Sequence, residues 1–373
     1  MNTSDIDLML AEKGKPCLSI VIPTHQYSRD RMQNPEIIEK AIQKATSLLA
    51  NSAWPKDQIR QMESKFNALL ESVDNMRLQE GMAIFISPNM MKIHFLPFAV
   101  KEKIMLGQTF EIRDLVYFGQ LLKPYFLLAL SKNRIRLFKG SGRDLQEVIN
   151  NDFPKDYVEE YEYERPSLGS SSGSSLKSYE RDKSILQESR EKGFFRNADA
   201  ILNKYLKENT SLFVAGVEEA IANFQDASHH LKNIAGKIEG NYDYDALHPL
   251  AETMWKKIQE SVQNENQALL IKLEKYTGRQ LAVEGIIDVW RTAKEGKGLI
   301  LLVEKDYQVM AYQHAQNSSV ISLSPPAGKY QIIIDAADDV IEIVKEKGGS
   351  VAILEPGQLQ NFNHIALLLR YED

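Results

Sequence analysis

Leu128-Ala129-Leu130-Ser131-Lys132-Asn133-Arg134-Ile135-Arg136-Leu137-Phe138 is the stretch on which the fold turns. Two apolar-rich runs flank three turn-forming residues, which predicts an antiparallel hairpin whose first strand starts at Tyr125. Farther along stands Pro166-Ser167-Leu168-Gly169-Ser170-Ser171-Ser172-Gly173-Ser174-Ser175-Leu176, a Gly/Ser loop. A charged helix and an amphipathic helix follow, the second marked by Phe194, Phe195, Ala198, Ile201, Leu202 and Tyr205. Ser211-Leu212-Phe213-Val214-Ala215-Gly216 then reads as another core strand. The loop therefore lies inside one α/β domain and does not join two domains. Such an insertion adds little closure entropy and needs no core of its own. Long loops in this position reach out to a partner or an active site; the plainer alternative is an insertion without a role.

Toward the N-terminus, Leu18 to Ile22 forms a strand closed by Pro23, and Pro35 opens a helix with Ile37, Ile38, Ala41, Ile42, Ala45, Leu48 and Leu49 in one apolar stripe. A second helix carries Ile59, Met62, Phe66, Leu69, Leu70 and Val73 on one face, and a hairpin follows that turns at Ser87-Pro88-Asn89. Toward the C-terminus, a helix starting near Leu247 extends through Leu269, Leu273 and Tyr276. Beyond it the sequence predicts a helix from Leu281 to Lys294 and strands at 299–303, 330–334, 351–354 and 365–369. A helix ending at Gly348-Gly349 precedes the last two strands. Apolar strands flanked by helices imply a sheet covered on both faces. The domains are drawn at 1–120, 121–265 and 266–373.

Composition narrows the class. The 373 residues are 43% hydrophobic and 26% charged, as in a globular protein. Cys17, the single cysteine, has no partner for a disulfide, so a reducing compartment is expected, and with no signal-peptide pattern at the N-terminus the cytoplasm is favoured. No run is long and apolar enough to span a bilayer, and no membrane contact is expected. A net charge of −6 speaks against an indiscriminate nucleic-acid binder and leaves docking on a preformed ribonucleoprotein open. The C-terminal domain, with 11 basic and 14 acidic residues from Gln267 onward, has no obvious RNA-binding patch.

Catalytic motifs are sparse. No Walker loop, GxSxG elbow, HExxH or CxxC pattern is present, so neither metal nor cofactor is expected. Gly140-Ser141-Gly142-Arg143-Asp144 reads as a turn. Asp152 to Glu164 holds six acidic residues against Lys155 and reads as a solvated connector. His229 and His230 are adjacent, and Asp226 to His230 is an i,i+4 pair that would set a carboxylate beside an imidazole on one helix. Thr24 and His25, at the end of the first strand, form a possible N-domain site. Lys177 and Arg181, i,i+4 on the segment leaving the loop, could both face phosphates, although a solvated helix face is the default for that mixed-charge run.

In their fixed order these pieces resemble the bacterial relatives of archaeo-eukaryotic class-1 peptide release factors and of the rescue factor Pelota. The residues that carry the resemblance are Ser19 to His25 with Asn34-Pro35, the hairpin Leu128 to Phe138, and Phe194-Phe195-Arg196. Phe213 to Val217, Gly240-Asn241-Tyr242, Gly348 to Val351 and Ala366 to Tyr371 continue it. The resemblance implies three α/β domains, the middle one RNase H-like and the third like the ribosomal-protein fold that binds kink-turn RNA. It further implies a ribosome-associated factor for release, rescue or hibernation, with ribosomal RNA of the tRNA site as partner. In release factors the middle-domain loop carries Gly-Gly-Gln, which assists peptidyl-tRNA hydrolysis. Here that position holds the Gly/Ser loop, with no glutamine between Pro166 and Ser184 and no adjacent glycines, so no catalytic residue is assigned. What the loop offers are the backbone N–H groups of Gly169 and Gly173 and the hydroxyls of Ser170 and Ser171, suited to phosphate or sugar, with Lys177 and Arg181 beside them. Two other readings stand beside this one: a peptidyl-tRNA or RNA hydrolase, and a protein-binding adaptor that has lost ribosome contact.

Overall fold

The computed structural model describes residues 3–26, 30–73, 78–131, 133–157, 192–208, 210–242 and 247–371. The chain divides into two compact units, one of Met1–Gln120 with Asn266–Asp373, the other Leu121–Glu265.

The first unit opens with helix α1 (Thr3–Leu10), strand β1 (Cys17–Pro23) and helices α2 (Asn34–Ala50) and α3 (Lys56–Ser72). Strands β2 (Gly81–Ile86), β3 (Met91–Leu96) and β4 (Lys103–Gly107) and helix α4 (Arg113–Leu121) follow. The strands form an antiparallel sheet in the order β3-β2-β1-β4. Leu18, Ile20 and Ile22 point to one face, where Ile38, Ala41, Ala45 and Leu49 of α2 and Met62, Phe66 and Leu69 of α3 cover them. Cys17, Ser19 and Val21 point the other way and are also buried, which is why β1 reads as a continuous apolar run without alternation. Burial pushes the Cys17 thiol up to about 12, the character of an inert core cysteine.

In the second unit, β5 (Tyr125–Leu130), β6 (Arg134–Ser141) and β7 (Asp144–Glu147) form an antiparallel meander. The short β8 (Lys155–Asp156) pairs with β6. Helix α5 is described over 192–202. Strand β9 (Ser211–Gly216), helix α6 (Glu218–Ala227) and strand β10 (Ile234–Glu239) complete the sheet in the order β10-β9-β5-β6-β7, with β9 parallel to β5 and β10 parallel to β9. Leu128, Leu130, Leu137 and Val214 meet Phe195, Ala198 and Leu202 of α5 and Ile221 and Phe224 of α6. On the other face Tyr125 lies edge-on to Phe213, covers Gly140 and donates its hydroxyl to the carbonyl of Gly142 at 3.1 Å. Gly142, at φ +58°, makes the β6–β7 turn, as the sequence predicts for that Gly-Ser-Gly run.

Helix α7 (Leu247–Thr277) is a single helix, as the apolar spacing predicts, and its residues from Asn266 onward belong to the first unit. There follow β11 (Ala282–Glu284), α8 (Ile286–Glu295), β12 (Gly298–Glu304), β13 (Ala311–His314), β14 (Asn317–Ser322), β15 (Tyr330–Ile333), α9 (Ala336–Glu346), β16 (Ser350–Leu354) and β17 (Ile365–Leu369). One sheet runs β11-β17-β12-β16, and Leu302, Ala352, Leu354, Ala366 and Leu368 pack with Leu273 of α7.

Two expectations are corrected here. The helix drawn from Leu281 begins at Ile286: residues 282–284 are strand β11, and Gly285 at φ +75° separates the two. The strand at 330–334 does not join the covered sheet. It is the edge of a separate small sheet, β14-β13-β15, with Tyr330, Ile332 and Ile334 exposed.

The segments 1–120 and 266–373 are joined through a buried charge network. Asp338, at the start of α9, accepts hydrogen bonds from the backbone N–H groups of Ile112 and Arg113, both at 2.9 Å, and so caps α4 from another part of the chain. The Arg113 side chain is 1% exposed, donates to Asp335 at 2.6 Å and also donates to the carbonyl of Tyr307. Asp335 in turn caps α9 through the N–H of Ala337. Truncating one partner of such a buried pair strands a charge without compensation, so the network ties two distant segments to one geometry.

Candidate functional site

The Gly/Ser loop falls between β8 and α5. Gly169, Ser170, Ser171, Gly173, Lys177 and Arg181 lie outside the described residues, as does the acidic run from residue 158 onward. The two ends from which this segment leaves the sheet are described, and they are held together. The Tyr157 ring packs edge-on against Phe194 with centroids 5.4 Å apart, and Lys155 donates to Asn197 Oδ1 at 3.0 Å. Arg134 forms a two-point ion pair with Asp156, at 2.6 and 3.1 Å, which pins β8 to β6. Asp152 accepts from Lys204 at 2.8 Å and from the Tyr205 hydroxyl at 3.1 Å. The first part of the acidic stretch is thus tied into the unit by specific cations, so Asp152 and Asp156 do not behave as a self-repelling run, while Asp156 stays exposed to solvent. Opposite-charge partners from other elements overrode the local self-repulsion.

On the same helix α5, Asp199 gathers a polar cluster that the sequence did not disclose. Its buried carboxylate accepts from Ser228 Oγ at 2.5 Å and from the backbone N–H of His229 at 3.0 Å. His229 Nδ1 lies 3.1 Å and His230 Nδ1 2.8 Å from it. Burial alone would push Asp199 up; the hydrogen bonds from Ser228, His229 and His230 outweigh it and hold the carboxyl below its ordinary value. The expected Asp226–His230 helical pair does not form, because α6 stops at Ala227 and the two histidines follow it in non-helical backbone. His230 is largely buried, whereas the His229 ring is 91% exposed, held at Nδ1 and open at its far edge. The arrangement presents a positioned imidazole at the surface. A signal for Asp199 does exist in the sequence, an acidic residue interrupting the apolar face of α5 between Ala198 and Leu202, but its partners lie about thirty positions away.

Thr24 and His25 are placed at the end of β1. The Thr24 hydroxyl is buried and donates to the carbonyl of Gln79 at 2.7 Å. The His25 backbone is clamped by fully buried Asn34, which accepts from its N–H at 2.9 Å and donates to its carbonyl at 2.8 Å. Because the sheet is antiparallel throughout, it has no edge at which all strand carboxyl ends gather.

The inner strands of the middle sheet, β5, β6 and β9, carry no Asp or Glu. Among the described residues no group of three or more His, Cys, Asp and Glu side chains is placed to hold a metal ion, and no helix is long and apolar enough to cross a membrane.

Comparison with known proteins bears on this unit directly. Residues 124–297 match the family model of bacterial archaeo-eukaryotic release factor family 3. No curated protein matches the chain. Among solved structures, the archaeal translation termination factor aRF1 is 14% identical, with 99% of this chain and 96% of that chain covered, at a TM-score of 0.25. Archaeoglobus fulgidus Pelota is 14% identical over 78% of this chain and 80% of that one, at a TM-score of 0.36. Dom34 of S. cerevisiae, a translation termination-like factor, is 11% identical over 76% and 74%, at 0.38. With TM-scores this low, the match over 124–297 carries the relationship, and that stretch contains the hairpin, the inserted loop, the α5 cluster and all of α7. Over that stretch, the chain is similar to the bacterial archaeo-eukaryotic release factors of family 3.

Proposed function

We propose that the protein is a ribosome-associated translation factor that places its middle domain in the tRNA site and presents the loop at 166–176 to ribosomal RNA or tRNA. The observation that carries this reading is the closed base between β8 and α5, from which the loop departs within the segment that matches the release-factor family. The sheet order, an antiparallel meander extended by two parallel strands, supports an RNase H-like middle domain. Three domains, 1–120, 121–265 and 266–373, accompany this proposal, as does a cytoplasmic location.

Chemically, the loop offers contacts and no catalyst. Gly169 and Gly173 bring backbone N–H groups close to phosphates, Ser170 and Ser171 add hydroxyls, and Lys177 and Arg181 supply charge. With no glutamine in the loop, peptide release in the manner of Gly-Gly-Gln is not part of the proposal, and occupancy of the site for rescue or hibernation is. A hydrolase of the RNase H type has no carboxylate in β5, β6 or β9 to build on.

Co-sedimentation with bacterial ribosomes tests the reading, using the intact chain and a variant lacking Leu168–Ser175. Binding that weakens with the deletion supports it. Absence of binding by the intact chain, from both growing and starved cells, refutes it.

A further inference from the structure

Within the first unit, β4 and β15 are each the outermost strand of a sheet: among the described strands β4 pairs with β1 alone and β15 with β13 alone. Both border one cleft of about 450 Å³, which the consecutive residues 105–109 and 331–335 line. That volume falls in the range of ligand pockets, about 300–1,000 Å³. A free strand edge exposes a row of backbone N–H and C=O groups and is a template for another strand; natural proteins usually cover or blunt it. Here neither edge is blunted by proline, and Ile332 and Ile334 are 55% and 51% exposed beside it.

The cleft is also lined by more carboxyls than cations. Glu111, Asp335, Asp339 and Glu342 line it, against Lys13 and Lys294. Asp335 is taken by Arg113. Glu342 is only 3% exposed, and its one recorded ionic partner is Lys13 at 3.9 Å, beyond hydrogen-bond reach, because Lys13 is paired more closely with Glu346. Burial pushes Glu342 up to about 9 and Asp339 up to about 6, outweighing the charge of Lys13 on both and of Lys294 on Asp339.

We propose that this cleft binds an extended peptide carrying a lysine or arginine side chain, whose backbone pairs with the free edges of β4 and β15 and whose cation is received by Glu342 and Asp339. A strand ligand fits better than a small amine, because each wall includes three successive residues of an outermost strand, 105–107 of β4 and 331–333 of β15, which matches main-chain pairing with alternate side chains read by pockets. The inference is independent of ribosome binding.

The test is selection from a displayed library of random short peptides against the full-length protein, repeated against the Glu342→Gln/Asp339→Asn double variant. Enrichment of peptides alternating apolar and Lys or Arg residues is expected. Their affinity should fall about ten-fold or more in the double variant, since each buried carboxyl that meets a charge is lost. With an enriched peptide bound, amide exchange should slow over 105–109 and 331–335. No enrichment, enriched sequences without a basic residue, unchanged affinity in the double variant, or protection elsewhere would each overturn the proposal. So would quenching of tryptophan fluorescence by spermidine with no peptide selected. Because both substitutions mimic protonated carboxyls, they do not threaten folding, and a lost affinity reports the site.

Discussion

Replacing Glu342 by glutamine should stabilise the first unit, and by an amount that grows with pH. The side chain sits on α9 among Asp338, Asp339 and Glu346, with Lys13 the cation that offsets their charge on it. Burial, then the charges of Asp338 and Asp339, raise it from an ordinary value of 4.5 to about 9. The folded state therefore keeps a proton that the unfolded chain releases above its ordinary value. The contribution of Glu342 to stability is fully present below that value and is lost as pH rises through the window up to about 9. At 1.36 kcal/mol per pH unit, the wild type forgoes roughly 1 kcal/mol or less at pH 5 and about 3 kcal/mol at pH 7. Glutamine resembles the protonated acid at every pH and escapes the loss. Native-state amide exchange of α9, corrected for intrinsic rates, reads the local opening free energy without requiring the whole chain to unfold in one step. Variant and wild type should agree near pH 5 and separate steadily above it. An equal difference at pH 5 and pH 8, or a glutamine variant less stable at pH 8, would show that Glu342 is ionised and bound to Lys13, and the reasoning would be refuted.

Arg113→Met leaves Asp335 and Asp338 buried without their cation and should destabilise the first unit by about 3–5 kcal/mol, read by urea unfolding; a loss under about 1 kcal/mol would contradict the network. Asp199→Asn replaces one of the two oxygens that accept from Ser228, His229 and His230 by a donor and removes the charge, and should cost about 1–3 kcal/mol at neutral pH. Since Asp199 is held below its ordinary value of 3.8, its contribution is present above that value and lost as pH falls through the lower folded one, so the two proteins should converge in acid. Gly140→Ala would set a Cβ 2.3 Å from Tyr125 Cζ; the displaced ring should cost about 1–3 kcal/mol, visible in the thermal midpoint and in near-ultraviolet circular dichroism.

Elements with strong local periodicity were legible from the residues: the 125–138 hairpin, the α2 and α3 stripes, the full length of α7, and the Gly-mediated turns after α8 and α9. Elements whose stability comes from elsewhere were not. Strand β4, Lys103–Gly107, is short and shows no clean alternation, and it exists because β1 offers an edge to pair with. Helix α4 carries no capping residue of its own at Ile112, and its end is satisfied by Asp338, 226 positions away. The Asp152 and Asp156 pairings, and the capture of His229 and His230 by Asp199, likewise depend on residues brought near only by folding.

By itself, then, the amino-acid order determined the α/β character, the place of the Gly/Ser loop between the 125–138 hairpin and the strand at 211–216, and the family resemblance, because each rests on neighbours within a turn of helix or a few residues of strand. Strand order, the buried Arg113 network and the cleft between two unpaired edges were decided by tertiary structure alone. Which distant segments meet depends on chain closure and on complementary surfaces, and neither leaves a period in the sequence.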